Sequence, residues 1–351
     1  MRTLVVGWSS VLHGEATAGD VLAMDAVADA LDTAGIPHDV AWSAVMCPPG
    51  GLRLDAADPV RYTHLLFVCG PATGRSIAEL HERFAHCRRI AVGVSVLDPE
   101  DPVTAGFHRV IARDRPGAPG RRDLAARAVP QLVPVLGVYL TSGQHEYGAR
   151  RRHDTVRSGL EDWLGGLDAA RLPLDTRLDP RDWRLPATAA QAGSVIARLD
   201  TVVTMRMHGL VLALRAGVPV LAVDPVAGGG KVTAQARAWD WPAVVGADEL
   251  DGGRLDEQLR WCLSPDGRSA AGARAAKAPS GFEQLDELVR ELLVDPAGAP
   301  VHDPDRAFDR ELAGRLGMDL GSDVGRDLGG DHGIDHGPGP LEAAETGRNR
   351  R

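Results

Sequence analysis

Aromatic side chains are scarce in this chain: Phe, Trp and Tyr make up 4% of its 351 residues. Its cores must therefore be built from Ala, Val and Leu. Cysteine is scarce as well. Cys47, Cys69, Cys87 and Cys262 are scattered without Cys-x-x-Cys spacing. That pattern excludes a zinc ribbon or a disulfide framework and fits reduced thiols in the cytoplasm. No basic block exceeds Arg150-Arg151-Arg152, which speaks against nucleic acid as a partner. No run approaches the roughly 20 apolar residues of a membrane span. The opening "MRTLVVGWSS" reads as a strand, too short in its apolar part for a signal peptide. The expectation is a cytoplasmic protein without a transmembrane segment, whose only membrane contact would be peripheral.

What is present is the profile of a globular protein: 44% apolar residues, 25% charged residues and a formal net charge of -9. A chain of this length accommodates two domains with separate cores. The first half alternates strand and helix signals. Strands are expected at Leu4–Val6, Asp39–Trp42, Leu65–Val68, Ile90–Val96 and Val110–Ala112, with helices after residue 20 and over Ile77–Phe84. A proline-bearing join, "RAVPQLVPVLGVYL", leads to a second series that opens with a strand at Val135–Leu140. Helices follow near 150–164, 187–198, 231–239, 254–263 and 282–293. Between the second and third of these, Thr201–Val203 reads as a strand, Gly209–Ala216 as a helix and Val218–Val223 as a strand. Such alternation predicts an α/β protein with two Rossmann-like halves, each on a parallel sheet, and a cleft between them. The halves are expected over 1–132 and 133–294. From 295 to 351 the chain is rich in Gly and Asp, has no apolar period and reads as a disordered tail. His332 and His336 in that tail are weak metal-binding candidates beside a simple solubilising role.

Two charged residues stand out. In "TVVTMRMHGLVLALRAGVPVLAVDP", residues 201–225, Arg206 and His208 interrupt an apolar run where a strand gives way to a helix. A helix start presents unpaired backbone N–H groups, here of Met207, His208 and Gly209, and the positive end of its dipole. Arginine adds a fork-shaped permanent charge suited to carboxylate or phosphate, and histidine a proton donor near neutral pH. The bland alternative is an arginine paired with a neighbouring carboxylate and a core histidine. Asp20, after Gly19 and before an apolar period, reads equally as a helix N-cap and as a base. Lys231 follows "VAGGG" and is placed to reach a phosphate, although "PVAGGGKV" is no Walker motif. Of the tryptophans able to stack on a sugar face, Trp8, Trp163, Trp183, Trp239 and Trp241, the pattern "WDWP" at 239–242 is the leading candidate, with core packing as its alternative. No metal-ligand cluster and no cofactor motif is evident.

The block "TMRMHGLVLALRAGVPVLAVDP…GGGK" resembles the signature of the polysaccharide pyruvyl transferase family. "GEATAGDVLAMDAVADAL" is similar to that family's Gly-Asp helix start, and "FHRVIARDRPG", 107–117, to its Arg-Asp segment. The resemblance implies two facing Rossmann-like domains, similar to the glycosyltransferase-B frame. It also implies transfer of the enolpyruvyl unit of phosphoenolpyruvate to a sugar of a cell-envelope polysaccharide or its lipid-linked precursor, with release of phosphate. On that reading Arg206 and the N–H of Met207 hold the donor, Arg113 clamps its other anionic end and Lys231 assists. His208 acts as acid or as an additional phosphate ligand, and Asp20 is the candidate base. The familiar Gly-Gly-Gly is replaced by "VCGPATG" at 68–74, and Asp224-Pro225 stands where a tyrosine is usual. Two alternatives stay open: a nucleotide-sugar-dependent glycosyltransferase on the same frame, and a non-catalytic binding protein derived from it. A ribose-binding acid is missing from Arg206–Gly209, which counts against the first.

Overall fold

A computed structural model describes residues 1–11, 16–129 and 131–293. The expected tail, with His332 and His336, lies outside the described residues, as does the start of the "GEATAGD" segment. The chain divides into two compact units, Met1–Val133 and Pro134 onward.

Unit 1 contains β1 (Thr3–Gly7), α1 (Ala18–Thr33), β2 (His38–Trp42), β3 (Leu52–Arg53), β4 (His64–Val68), α2 (Arg75–Arg83), β5 (Arg88–Ser95), α3 (Pro102–Ala105) and β6 (Arg109–Asp114). Its six parallel strands run in the order β3-β2-β1-β4-β5-β6. All five residues of β1 are buried because helices cover both faces of the sheet. Leu4 and Val6 face one cluster with Phe67, Ile77 and Leu80, whereas Val5 faces the other with Ala23, Met24 and Val27. The two-residue period of a strand imposes this split, and full burial of each such side chain is worth about 1.5–3 kcal/mol.

Unit 2 contains β7 (Val135–Tyr139), α4 (His153–Gly165), β8 (Ala170–Pro173), α5 (Ala189–Ile196), β9 (Thr201–Thr204), α6 (Met207–Arg215), β10 (Val220–Asp224), α7 (Lys231–Ala238), β11 (Val244–Gly246), α8 (Gly252–Leu263), α9 (Pro265–Lys277) and α10 (Glu283–Leu292). Its five strands are also parallel, in the order β11-β10-β9-β7-β8. Each unit is thus a doubly wound Rossmann-like sheet with one point where the strand order reverses: between β1 and β4, and between β7 and β9. Ligands of such sheets gather beyond the carboxyl ends of the strands at these points.

The elements depart from expectation in instructive places. The helix after β9 starts at Met207, not Gly209, with Arg206 as an extended N-cap (φ -108°, ψ 133°). Three strands add to those expected from the sequence. β3 and β11 are very short, and β8 ends at a proline with three of its four residues exposed. Helix α9 carries no clear apolar stripe; it is started by Ser264, whose side chain accepts the Gly267 N–H, and by Pro265 in its first turn.

The junction of β9 and α6 fixes one glycine. A Cβ at Gly209 would collide with the Thr204 side chain, so only glycine lets α6 approach the strand end this closely. Gly209→Ala should lower stability by about 1–3 kcal/mol through overpacking, despite alanine's better helix propensity. A urea midpoint equal to or above that of the parent protein would show the contact to be slack.

Candidate functional site

The carboxyl edge of unit 2 is assembled from four strand ends. Thr204 closes β9, and its hydroxyl oxygen accepts the Arg206 N–H at 2.9 Å while its O–H donates to the Arg206 carbonyl at 3.1 Å. That local turn is of the kind Ser and Thr favour. It sets Arg206 at the head of α6, without a side-chain cap. The N–H groups of Met207, His208 and Gly209 have no acceptor within the helix. The Arg206 side chain is part-buried at the β7/β9 reversal. Its Nη2 lies 3.4 Å from Asp175 Oδ1, and its Nη1 and Nε reach Thr176 Oγ1 and the Leu140 carbonyl at 3.5 Å each. All three contacts exceed the 2.7–3.2 Å of well-formed N–H···O bonds. The guanidinium is positioned but only weakly engaged. His208 is exposed, and Met207 packs partly against the core.

Lys231 is exposed at the first position of α7. The loop before it is no phosphate cradle, because its N–H groups already have acceptors. Asp224, fully buried at the end of β10, accepts from the backbone of Val226 at 3.1 Å, Gly230 at 2.7 Å and Thr233 at 2.8 Å, and from the Thr233 hydroxyl at 2.7 Å. Gly228 donates to Asp248 and Gly229 to the Val226 carbonyl. Any contribution of Lys231 is left to its ammonium group.

In unit 1 the structure brings Asp20 and Arg113 to one pocket of about 670 Å³, with Trp8, Thr17 and Cys69 beside them. Asp20 is not the N-cap. Thr17 is, and Asp20 completes a capping box from the third helical position, accepting the Thr17 N–H and O–H at 2.8 Å each. Arg113 differs sharply from Arg206. Its Nε donates to Asp114 at 2.7 Å, its Nη1 to Asp123 at 2.5 Å and its Nη2 to Ser95 Oγ at 2.6 Å. These carboxylates raise the guanidinium pKa further, and Arg113 with Ser95 holds Asp114 below the ordinary carboxylate range. A clamp on substrate would have to break this network, so the geometry assigns Arg113 a structural place. Burial pushes the Cys69 thiol up to about 11, which leaves it protonated and unreactive.

Sequence reasoning missed Asp175, Asp224 and His153. His153 directly follows Arg150-Arg151-Arg152, a setting typical of a solvated helix start, yet it is fully buried. Its Nε2 lies 3.1 Å from Gln144 Oε1, and its Nδ1 has no partner among the described residues. Burial, followed by Arg151, lowers its pKa; Lys231 acts in the same direction, and Asp154 and Asp224 oppose them. Trp241 of the "WDWP" pattern is core, its indole N–H donating to the Val220 carbonyl at 2.7 Å, and Trp239 packs partly against the same core. Among the described residues no group of three or more His, Cys, Asp or Glu is placed to hold a metal, and no helix is long and apolar enough to cross a membrane.

The family model described as "Polysaccharide pyruvyl transferase" matches residues 166–225. That segment runs from the approach to β8 through β10 and includes Asp175, Arg206, Met207, His208 and Asp224. The family resemblance of this segment is therefore borne out by an independent match. No curated protein matches the chain. Solved structures similar to it include the spinosyn forosaminyltransferase SpnP, at 13% identity over 82% of this chain and 99% of that one, TM-score 0.30. The E. coli heptosyltransferase WaaC with ADP shows 15% identity over 75% and 100%, TM-score 0.23. The UDP-GlcNAc 2-epimerase from Methanocaldococcus jannaschii shows 10% identity over 82% and 99%, TM-score 0.29. At TM-scores of this size the likeness carries no argument about donor, acceptor or reaction.

Two outcomes follow from these geometries. Arg113→Ala, which strands two carboxylates, should lower the urea midpoint clearly, whereas Arg206→Ala should leave stability within about 0.5 kcal/mol. His153 has a folded pKa below its unfolded value, so the unfolded chain gains a proton first as the pH falls. Its contribution is complete above about pH 6.5 and declines below it. The fall in Tm between about pH 7.5 and about pH 5.5 should be smaller in His153→Gln, and an equal fall would refute this account.

Proposed function

We propose that this chain, which carries a polysaccharide pyruvyl transferase segment, moves the enolpyruvyl unit of phosphoenolpyruvate onto two hydroxyls of a sugar. The acceptor in this reading is a cell-envelope polysaccharide or its lipid-linked precursor, and the protein acts in the cytoplasm. The observation that carries it is the weakly engaged Arg206 at the head of α6, at the strand reversal of unit 2. Phosphoenolpyruvate carries a phosphate and a carboxylate on three carbons. A permanent cation beside unpaired helix N–H groups suits such a ligand.

In the first step a sugar hydroxyl oxygen bonds to C2 of the donor and loses its proton. The C3 methylene gains a proton and becomes methyl. In the second step a neighbouring hydroxyl bonds to C2 and gives up its proton, the C2–O bond to phosphate breaks, and the phosphate departs with the bonding electrons and takes up that proton. His208 is assigned the proton delivered to C3; on the resemblance of its Gly-Asp helix start alone, Asp20 of unit 1 is assigned the proton taken from the attacking hydroxyl. Arg206, with the N–H groups of Met207 and His208, offsets the charge that grows on phosphate. Lys231 is assigned an auxiliary electrostatic part.

A nucleotide-sugar-dependent transfer is the second reading, and Asp175 favours it. The acid that the sequence lacks between Arg206 and Gly209 arrives from the end of β8, 3.4 Å from the guanidinium, where a ribose hydroxyl would find an acceptor.

Calorimetric titration with phosphoenolpyruvate, beside a panel of nucleotide sugars, separates the readings. Phosphoenolpyruvate should bind, and Arg206→Ala should weaken it by about 10- to 100-fold, the equivalent of one or two charge-assisted hydrogen bonds. Asp20→Asn should retain donor binding and lose phosphate release in the presence of acceptor. Binding of a nucleotide sugar alone would transfer the assignment to the second reading.

A further inference from the structure

Trp183 is 93% exposed, although its loop is firmly built. The Asp179 N–H donates to the Pro186 carbonyl at 3.1 Å and the Leu185 N–H to the Asp182 carbonyl at 2.9 Å. Asp182 also accepts from Nε and Nη2 of Arg184 at 2.9 and 2.8 Å, and Asp179 pairs with Arg181 at 3.1 Å. The loop therefore holds the indole out by design of its turns. Single exposed apolar residues are common, but this one borders a cavity of about 480 Å³ beyond the ends of β7 and β8. Small-molecule sites typically span about 300–1,000 Å³.

The cavity combines apolar walls with a few polar groups. Leu174, Pro186 and Val195 supply the walls, and Tyr139, Asp175 and Gln191 the polar groups. Tyr139 is a buried residue, and among the described residues nothing hydrogen-bonds to its hydroxyl, which is not itself among the buried unpartnered atoms. Gln191 accepts the Ala187 N–H at 2.7 Å through Oε1, which leaves its amide NH2 as a donor. Asp175 is the carboxylate that faces Arg206. The lining holds one carboxylate, Asp175, and one guanidinium, Arg184, so it carries no net charge and suits a neutral ligand better than an ionic one. A pyranose ring has this character: a C–H face for an indole and a rim of hydroxyls for a phenol, a carboxylate and an amide.

We propose that this cavity of unit 2 is a pyranose-binding subsite, with Trp183 as the stacking platform and Asp175 and Tyr139 as hydroxyl partners. Its assignment to the acceptor sugar rests on the transferase reading above; the subsite itself does not. Because Asp175 borders both the cavity and Arg206, a ring seated there has a hydroxyl next to the proposed donor anion.

The test is saturation-transfer NMR on the full chain with the methyl pyranosides of glucose, galactose, mannose and N-acetylglucosamine. At least one should receive saturation on its ring protons, and Trp183→Ala should weaken it by about three- to tenfold, the range of a single aromatic contact. Trp183→Phe should recover part of the loss. Since the indole is exposed, neither change should alter folding or phosphoenolpyruvate affinity. Arg206→Ala should keep the glycoside and lose phosphoenolpyruvate. Absence of transfer to all four glycosides, or transfer indifferent to Trp183, overturns the subsite. Glycoside binding that depends on Trp183 in a protein that ignores phosphoenolpyruvate would uphold the subsite and sink the transferase reading.

Discussion

The hydroxyl of Thr204 is the contact on which the edge of unit 2 depends. It satisfies both backbone groups of Arg206, its methyl and hydroxyl fill the space that a side chain at 209 would need, and it thereby sets where α6 begins. Moving the helix start by one residue would rotate its first turn by about 100° and carry His208 to another face. The pattern of a threonine at the strand end and a glycine five residues later is thus a geometric device. It orients the helix start toward the strand reversal, where Arg206 meets the Leu140 carbonyl beyond β7.

Two arginines of equal promise in the sequence have opposite fates. Arg113 is held by Asp114, Asp123 and Ser95 within 2.7 Å, whereas every contact of the Arg206 side chain is 3.4 Å or longer. A charge-assisted bond at the shorter distance is close to its optimum, and an incoming anion would have to compete with two carboxylates. At the longer distance an anion would gain more than it displaced. The distinction lies in the surroundings, since each residue alone is an arginine at a strand end.

The sequence makes this fold legible where information is local. β1, β4 and β10 are apolar runs, and the β9–α6 junction is contiguous, so Arg206 and His208 could be placed from their neighbours. β8 could not, because an edge strand with exposed residues and a terminal proline has no buried run to betray it. The partners of the site are equally hidden. Asp175 reaches Arg206 across 31 positions, through the parallel pairing of β7 with both β8 and β9. Asp123 finds Arg113 only after the chain turns back beside β6, and no spacing announces that encounter. His153 resembles a surface residue beside three arginines until α4 packs it inward.

Asp224 supplies the comparison that gives α6 its meaning. Helices α6 and α7 follow adjacent parallel strands, so their starts face the same edge with the same unpaired N–H groups and the same dipole. At α7 the chain provides its own anion: the buried carboxylate of Asp224 accepts from Gly230 and Thr233, as a bound phosphate would. At α6 the equivalent position holds Arg206, which reverses the sign of what is needed there. One helix start is thus satisfied from within by a carboxylate, and its neighbour joins a cation to the positive end of the dipole with only the loosely placed Asp175 facing it, an arrangement that a further anion would complete.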